Sequence, residues 1–366
     1  MKDIVFTGMS CITPAGSGVD DMVKAVAAFQ SKYGAGSSPL GTRFSEQSEC
    51  SGGVFYNADT EPAAGGVRAM RNEEADRMKT LGSFPRLDRG VAYLLTAVRQ
   101  ALEDSHIELK GMKKDRIGVV VGTTFGMWSC QARFLKALAK TSKPSSVLFQ
   151  QTTNNLYSGA VAYQYGLFGH NVTLYANWTA GVDAILYAKR LIAQDCCDAV
   201  VVGAIDTIDE TARVCYRNMK SAAADGKTLK ADFVLGEAAA VVIMESADFA
   251  ARARHPVLGR FLEGAHSRYY SAGEIVSFLS GRVLRGDAGE AYMANANHTF
   301  VDSAESRVLC ACKPEVVYIK RALGECGAAS GCLQVIYGLK KYTKSVMFCA
   351  CITGKMGYLR IFADQY

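Results

Sequence analysis

The feature that most constrains the fold is a strand–turn–helix pattern that occurs twice in the chain. Residues 172–187 read VTLYANWTAGVDAILY, a β-branched run followed by a turn of small residues and an apolar helix. Residues 330–337, SGCLQVIY, answer residues 180–187, AGVDAILY, and also begin a helix pattern that follows a strand pattern. Since self-similarity marks duplicated architectures, we expect two related halves.

Strand-like and helix-like patterns alternate along the rest of the chain, which is typical of an α/β protein. Strands are predicted at residues 4–8, 117–121, 172–174, 199–202, 239–244, 257–265, 316–318, 345–349 and 358–362. Helices are predicted at residues 20–29, 87–105, 127–139, 157–165, 180–194, 210–219 and 331–341. Residues 33–71 are rich in Gly, Ser and Ala and are predicted to form surface loops. We expect the two halves to span residues 1–250 and 251–366 and to pack as one unit.

The composition is that of a soluble globular protein. Of the 366 residues 49% are apolar and 21% are charged, which suits a large core. The net charge of +6 is spread along the chain without a Lys/Arg run interleaved with aromatic residues, so it favours an acidic protein partner over nucleic acid. No apolar run reaches the roughly 18 residues that a membrane span needs. We therefore expect a cytoplasmic protein that does not bind membranes or nucleic acid.

Two Cys-Ala-Cys pairs are the candidates for a metal site. Cys310 with Cys312, and Cys349 with Cys351, could together supply four thiolates. Each pair lies in an apolar run, where strand alternation would place both cysteines on one buried face. Core packing is the simpler interpretation, and we expect no bound metal.

The turn between the strand and the helix of the first unit is occupied by Trp178. Such an elbow is where many enzymes hold a nucleophile, beside the N–H groups of a helix N-terminus that stabilise an anion. A tryptophan side chain has no nucleophilic atom, so this elbow lacks the group that the geometry usually presents.

Several segments, taken in order, resemble the β-ketoacyl synthases of fatty-acid and polyketide assembly. They are residues 4–16 (IVFTGMSCITPAG), 86–105 (RLDRGVAYLLTAVRQALEDS), 117–126 (IGVVVGTTFG), 166–170 (GLFGH), 199–206 (AVVVGAID) and 233–240 (FVLGEAAA), with a looser match at 294–299 (ANANHT) and 320–331 (KRALGECGAASG). The resemblance implies the thiolase-like fold of that family, with two duplicated halves in α/β/α/β/α layers.

The resemblance also locates the positions that carry the family's chemistry. Active members have a nucleophilic cysteine at the elbow and two histidines in the second half, which serve decarboxylation and oxyanion stabilisation. These positions fall on Trp178, Asn297 and Glu325, while the motif's lysine is kept as Lys320. A slip of one residue would put His298 in place of Asn297. The resemblance thus implies that the catalytic residues are lost.

Cys326 is the candidate for a displaced nucleophile. Cys326 neighbours Glu325, but the sequence around it supplies no histidine that would generate a thiolate. A small buried residue in the turn GECGAASG is the simpler interpretation of Cys326.

The elbow WTAGVDA is similar to that of the chain-length factors of type II polyketide synthases, which resemble ketosynthases without the cysteine. This resemblance implies a non-catalytic subunit that pairs with a catalytic ketosynthase as a heterodimer. It also implies an acyl carrier protein as partner, with the substrate carried on that protein's phosphopantetheine, and no cofactor in this chain.

In such a protein the residues at the end of a tunnel limit the length of the polyketide. By position in the resembling segment, and by spacing of i, i+3 and i+7, the gate falls on Trp128, Gln131 and Leu135. The alternative is that Trp128 and Leu135 are ordinary core residues of an amphipathic helix. For Trp178 three roles stay open: a plug in the vestigial pocket, a surface that stacks on the polyketide, or an interface anchor.

Two functions of other classes also remain open at this stage. One is an autonomous decarboxylase of malonyl-carrier protein, which would need Asn297 but no cysteine. The other is a homodimeric thiolase-like binding protein.

Overall fold

The computed structural model describes residues 2–33, 67–78, 80–81, 84–85, 87–110, 112–143, 145–222, 233–283, 289–312 and 314–364. The predicted surface loops at residues 33–71 therefore lie mostly outside the described residues. The strands are β1 Ile4–Thr13, β2 Gly16–Ser17, β3 Val67–Arg68, β4 Thr80–Leu81, β5 Phe84–Pro85, β6 Ile117–Thr123, β7 Asn171–Tyr175, β8 Ala199–Asp206, β9 Leu235–Gly236, β10 Ala238–Ser246, β11 Gly259–Arg268, β12 Glu290–Met293, β13 Glu315–Val317, β14 Lys344–Cys351 and β15 Lys355–Ala363.

The α-helices are α1 Val19–Tyr33, α2 Glu73–Arg77, α3 Arg89–Asp104, α4 Trp128–Thr141, α5 Ser146–Gln150, α6 Leu156–Tyr165, α7 Ala180–Ala193, α8 Glu210–Ala222, α9 Ala247–Ala253, α10 Ala272–Phe278, α11 Val301–Cys312, α12 Ile319–Leu323 and α13 Ala329–Lys341. A 3₁₀ turn at Lys114–Arg116 and a π-helical turn at Leu279–Val283 complete the regular elements of the described residues.

Every strand and helix predicted from the sequence is confirmed, with ends displaced by a few residues. The sequence analysis did not predict β12, α11 or the short helices α2, α5, α9, α10 and α12. The strand β12 has only four residues, EAYM, and lacks the β-branched run that marks a buried strand. The expectation for Cys310 and Cys312 was wrong, because both lie exposed in the last turn of α11 rather than on a buried strand face. Cys349 and Cys351 are buried in β14, as predicted.

The main strands form one hydrogen-bonded sheet in the order β13-β12-β14-β15-β11-β1-β10-β8-β6-β7, with β2 paired to β1. The junction between its two halves is narrow, since β1 and β11 pair only at Val5 with Arg260 and at Phe6 with Gly259. The strands on the β1 side come from the first part of the chain and those on the β11 side from the second. The division at residue 250 stays a prediction.

Helices lie in three layers around the two halves of the sheet. Helices α7 and α13 contact each other and also contact strands of both halves, so they form the middle layer. Helices α3 and α6 pack on the outer face of the first half, and α10 and α11 share an apolar cluster with β12 and β14 of the second. This α/β/α/β/α arrangement is the thiolase-like fold that the resemblance implied.

The two repeated sequence units meet where α7 and α13 begin. A Cβ atom added to Gly181 would lie 2.1 Å from the carbonyl oxygen of Ala328, and one added to Gly331 would lie 2.7 Å from Cγ2 of Val182. Only glycine permits so close an approach. Since Trp178 directly precedes α7 and Glu325 directly precedes the turn into α13, this contact brings the two predicted site positions into one region.

Candidate functional site

Trp178 lies in the tight turn between β7 and α7. The side-chain oxygen of Asn177 accepts hydrogen bonds from the backbone N–H of Thr179, at 3.0 Å, and from its hydroxyl, at 2.8 Å. This Asx-type turn reverses the chain directly before the helix. The Trp178 side chain is 1% exposed, so it points into the protein.

An aromatic cluster surrounds the Trp178 ring. The ring stacks on Phe233 with a centroid separation of 5.7 Å and on Tyr216 at 6.2 Å, and its indole N–H donates to the Tyr216 hydroxyl at 3.0 Å. Burial raises the pKa of Tyr216 above its ordinary value, which keeps the phenol neutral. The indole therefore has stacking and hydrogen-bonding partners within its own chain, an arrangement that agrees with the plug interpretation.

The other two predicted positions, Asn297 and Glu325, are in direct contact. The amide of Asn297 donates to Oε2 of Glu325 at 2.6 Å, and Nζ of Lys320 lies 3.0 Å from the same oxygen. The second oxygen, Oε1, accepts from the hydroxyl of Ser330 at 2.7 Å. Lys320 also donates to Oδ1 of Asn295 at 2.7 Å. We call these five residues the buried network, since each is at most 3% exposed.

The charges of the buried network are balanced inside the protein. Burial alone lowers the pKa of Lys320, but the sulfur of Cys349 and the carboxylate of Glu325 raise it by more, so it lies above its ordinary value. The lysine is a cation at neutral pH, opposite a carboxylate that accepts three donors. Such a pair tolerates burial because its hydrogen-bonding groups are satisfied.

Asn297 rather than His298 occupies the position beside Glu325. Its side-chain oxygen accepts from Thr299 at 2.9 Å and from the Asn295 amide at 3.2 Å. His298 has a φ of 62°, and its backbone N–H donates to the carboxylate of Asp302 at 3.0 Å. The Asn297 side chain therefore fills the place beside Glu325.

Cys349 connects the buried network to the elbow. Its sulfur accepts from Nζ of Lys320 at 3.4 Å and donates to the carbonyl oxygen of Trp178 at 3.4 Å. The structure thus gathers Trp178, Asn297 and Glu325 around a lysine and a thiol. Strand alternation predicted only that Cys349 is buried. Its partners, Lys320 and Trp178, come from two other segments of the chain, which no local pattern could identify.

Neither Cys349 nor Cys326 is an activated nucleophile. Burial raises the pKa of Cys349 to about 11, although Lys320 acts in the opposite direction. Burial and the nearby Glu325 carboxylate raise the pKa of Cys326 well above its ordinary value. Both groups are thiols at neutral pH, which argues against Cys326 as a displaced nucleophile.

The predicted gate residues lie on α4 at different depths. The Trp128 indole donates to the hydroxyl of Tyr175 at 2.8 Å, and its ring meets Phe125 edge-on at 5.6 Å. The amide of Gln131 donates to the carbonyl oxygen of Thr152 at 2.9 Å. Leu135 is 60% exposed, so its interpretation as an ordinary core residue was wrong. Of these three residues, only Trp128 contacts the aromatic cluster. It does so through Phe125, whose ring meets Tyr216 at 5.9 Å.

Asp206, at the end of β8, joins the loop before α4 to the turn before α13. Its Oδ1 accepts from the backbone N–H of Thr124 at 2.8 Å and of Phe125 at 2.9 Å, and its Oδ2 accepts from that of Ala328 at 2.7 Å. Burial raises its pKa to about 6 although these donors lower it. The sequence analysis did not single out this carboxylate, since its partners are backbone groups of distant segments.

The described part of the chain contains no group of three or more His, Cys, Asp or Glu side chains arranged to hold a metal ion. None of its helices is long and apolar enough to cross a membrane.

Comparison with known proteins supports the reading of the fold. The chain is 28% identical over 262 residues to 3-oxoacyl-[acyl-carrier-protein] synthase 2 of Coxiella burnetii, a match that covers 68% of this chain and 59% of that protein. It is 27% identical over 352 residues to the protein of the same name from Vibrio cholerae, covering 89% of this chain and 78% of the relative. It is also 27% identical over 187 residues to the tetracenomycin polyketide synthase ketoacyl synthase alpha subunit of Streptomyces glaucescens, covering 45% and 43%.

Solved structures of the same fold cover the whole chain. One is a type II polyketide synthase acyl-carrier protein in complex with its ketosynthase bound to the hexaketide, with a TM-score of 0.78, 15% identity and 99% of both chains covered. Another is the ishigamide ketosynthase/chain length factor, with a TM-score of 0.74, 21% identity, and 99% of this chain and 100% of the other covered.

The family model for the β-ketoacyl synthase N-terminal domain matches residues 1–250, which is more than half of the chain. The match includes the elbow with Trp178 and the loop with Trp128, and the C-terminal half completes the same fold. The chain belongs to the β-ketoacyl synthase family.

Proposed function

We propose that this chain is a chain-length factor, the non-catalytic subunit that pairs with a catalytic ketosynthase of a type II polyketide synthase. The observation that carries the proposal is Trp178, which stands where the family's nucleophile would stand and is enclosed by Tyr216 and Phe233. A ketosynthase needs a thiolate at the elbow to hold the growing chain. An indole, here packed against the rings of Tyr216 and Phe233, cannot form a thioester.

The buried network argues against catalysis at the second set of positions. Oxyanion stabilisation needs donors that are free to meet the developing negative charge. Here Glu325 presents a carboxylate at one of the two histidine positions, and Lys320 is already paired with it. A second negative charge at this place would be repelled by Glu325.

The autonomous decarboxylase is disfavoured by the same contacts. Its polar group would be Asn297, whose amide donates to Glu325 and whose side-chain oxygen accepts from Thr299. With 3% exposure, Asn297 cannot reach a malonyl group without breaking the buried network. The homodimeric binding protein has no observation in its favour and is an outcome of the experiment below.

The surface around β7 supports a protein partner. This strand is at one end of the sheet and pairs only with β6 among the described residues, so its second edge is open. Large exposed apolar side chains occur on β7 itself, on α4, α5 and α6, and in the loop before β7, namely Leu135, Val147, Phe149, Tyr163, Phe168 and Tyr175. An open edge with an apolar surround is typical of an interface. We assign this surface to the ketosynthase subunit.

The limit on chain length would be steric. Each extension adds two carbons, and the next unit either fits at the end of the tunnel or meets packed side chains. Trp128 stands at the start of α4 between the aromatic cluster and the β7 edge, where a partner's growing chain would arrive. Gln131 and Leu135 lie one and two turns further along α4, towards the proposed interface.

The substrate would be delivered by an acyl carrier protein, on whose phosphopantetheine it is carried. Arg133, Lys136 and Lys140 are exposed on α4 and could meet the acidic surface of such a protein. This chain would need no cofactor of its own. The cysteines that the structure describes are free thiols, consistent with the cytoplasm that we propose as its location.

The test is co-expression with a catalytic ketosynthase of a type II polyketide synthase, followed by size-exclusion chromatography and mass analysis of the products. We expect a 1:1 complex, and longer products from Trp128→Ala because the substitution removes a ring from the tunnel end. Trp128→Phe, which keeps most of the volume, is the matched control and should change the products less. If the chain runs as a homodimer and the ketosynthase makes the same products without it, the proposal is wrong.

A further inference from the structure

The Trp128 side chain is held from two sides. On the inner side its ring meets Phe125 edge-on at 5.6 Å with an interplanar angle of 64°. On the outer side its indole N–H, the only donor of the side chain, is 2.8 Å from the hydroxyl oxygen of Tyr175. An edge contact restricts the ring only weakly, so the hydrogen bond to Tyr175 fixes the direction in which the indole points.

Tyr175 is itself held in place by the backbone. It is the last residue of β7 and pairs with Thr123, and the next N–H, that of Ala176, donates to the Thr123 carbonyl at 3.1 Å. Its ring lies against Gly126, since a Cβ atom added there would be 3.0 Å from Cε2 of Tyr175. Gly126 has a φ of +58°, which favours glycine in its own right.

The loop that carries Trp128 is equally well anchored. The Asp206 carboxylate accepts from the N–H groups of Thr124 and Phe125, and the side-chain oxygen of Asn154 accepts from that of Met127 at 3.0 Å. The backbone before α4 therefore has little freedom. The Trp128 side chain can still change its rotamer, and that rotamer would determine the free length of a tunnel.

We propose that Tyr175 is a positioning residue that sets the rotamer of Trp128 and thereby sharpens the limit on chain length. The inference rests on the proposed function, because Trp128 matters for product length only if this chain lines the tunnel. The phenol acts through the indole and does not need to touch the polyketide. Removing the Tyr175 hydroxyl should therefore broaden the distribution of product lengths rather than simply extend it.

The expected size of the effect follows from the strength of one hydrogen bond. Loss of a bond between neutral side chains changes the ratio of two rotamer populations by about fivefold. Tyr175→Phe should thus let Trp128 occupy alternative rotamers a substantial part of the time. Products of the normal length should remain, together with a new fraction one or two extension units longer.

The first readout does not depend on the proposed function. The chain has two tryptophans, so Trp178→Phe leaves Trp128 as the only one. In that background we expect Tyr175→Phe to increase acrylamide quenching of Trp128 fluorescence. Tyr270→Phe, which alters a tyrosine that is 84% exposed after β11, is the matched control and should leave it unchanged. The same pair is measured with Trp178 present, since a ring that is 1% exposed contributes little quenching.

The second readout is the product distribution of the co-expressed ketosynthase complex. Greater quenching together with a broader distribution for Tyr175→Phe, and neither for Tyr270→Phe, supports the inference. If Tyr175→Phe leaves the acrylamide quenching of Trp128 unchanged, the inference is wrong, whatever the distribution of products. A change in quenching with products like those of the unaltered complex also overturns it, provided that Trp128→Ala lengthens them. If Trp128→Ala does not alter the products, the proposed gate itself fails, which is a distinct result.

Discussion

The buried network and helix α4 differ in how far the rest of the chain encloses and hydrogen-bonds their side chains. In the buried network Lys320, Glu325 and Asn297 are almost fully enclosed, and both oxygens of the carboxylate accept hydrogen bonds. On α4, Trp128 has a single hydrogen bond and Leu135 is mostly exposed. The first region is satisfied within the chain, whereas the second leaves surface and conformational freedom available.

The difference separates side chains that are held within the fold from side chains that are available for contacts with other molecules. A buried charge is tolerated only with its partner present, so removing one member of the buried network would leave an uncompensated charge inside the protein. The α4 side chains contribute little to the fold and are free to meet a partner or a substrate. We expect substitutions in the buried network to change stability, and substitutions on α4 to change association and products.

The largest expected effect is in the buried network. Glu325→Ala would leave the Lys320 ammonium buried without its carboxylate, and should lower the free energy of unfolding by about 3–5 kcal/mol. The control is Glu103→Ala, which breaks the exposed pair with Arg99 and should cost less than about 1 kcal/mol. Urea denaturation of the variants measures both. Equal losses would contradict the distinction between the two regions.

The two tryptophans offer a direct comparison between the regions. Trp178→Ala would leave a cavity among Tyr216 and Phe233, at a cost of about 3–5 kcal/mol. Trp128→Ala should cost about 1–2 kcal/mol, because its ring is only partly buried. Thermal or urea unfolding of the pair measures the difference. A costlier Trp128→Ala would mean that the gate residue is primarily structural.

A third prediction concerns pH and the loop that carries Asn297. Glu305 accepts from the N–H groups of Asn295 and Ala296 and from the Tyr292 hydroxyl, and burial raises its pKa from 4.5 to about 7. The folded state therefore binds the proton more tightly than the unfolded chain, so stability falls as pH rises from 4.5 to about 7.

Glu305→Gln removes this titration. The stability of the unaltered chain relative to the variant should decline between pH 5 and pH 7, by up to about 3 kcal/mol. Urea midpoints at intervals across that range measure it. A difference between the two proteins that stays constant with pH would show that Glu305 does not titrate there.

The smallest effect on folding is expected at Leu135, an exposed residue in the middle of α4. Leu135→Ser should change the stability of the isolated chain by less than about 0.5 kcal/mol. It should weaken association with the ketosynthase by about tenfold, because a leucine buried at an interface contributes on the order of 1.5 kcal/mol. Leu262→Ser, at an exposed leucine on β11, is the control and should leave association unchanged. Equal effects of the two substitutions would place the interface elsewhere.

The regular elements could be predicted because their signals are local. The buried strand at residues 199–206 and the amphipathic helix at 89–104 each carry a continuous pattern. β12 was missed because it has only four residues, EAYM, without the β-branched run that marks the longer buried strands. Cys310 and Cys312 were misplaced because the apolar run RVLCAC is too short to distinguish a strand from the last turns of a helix.

The sequence alone determined the order of the main strands and helices, the repeated units that begin α7 and α13, and the absence of a nucleophilic side chain at position 178. Each depends on residue identity or on neighbours along the chain. Only the tertiary structure decided that Glu325 pairs with Lys320, that Cys349 joins them to the elbow, and that Tyr175 holds Trp128. These contacts join residues that lie far apart in the sequence or depend on side-chain direction, and burial and hydrogen bonding select them only once the layers have packed.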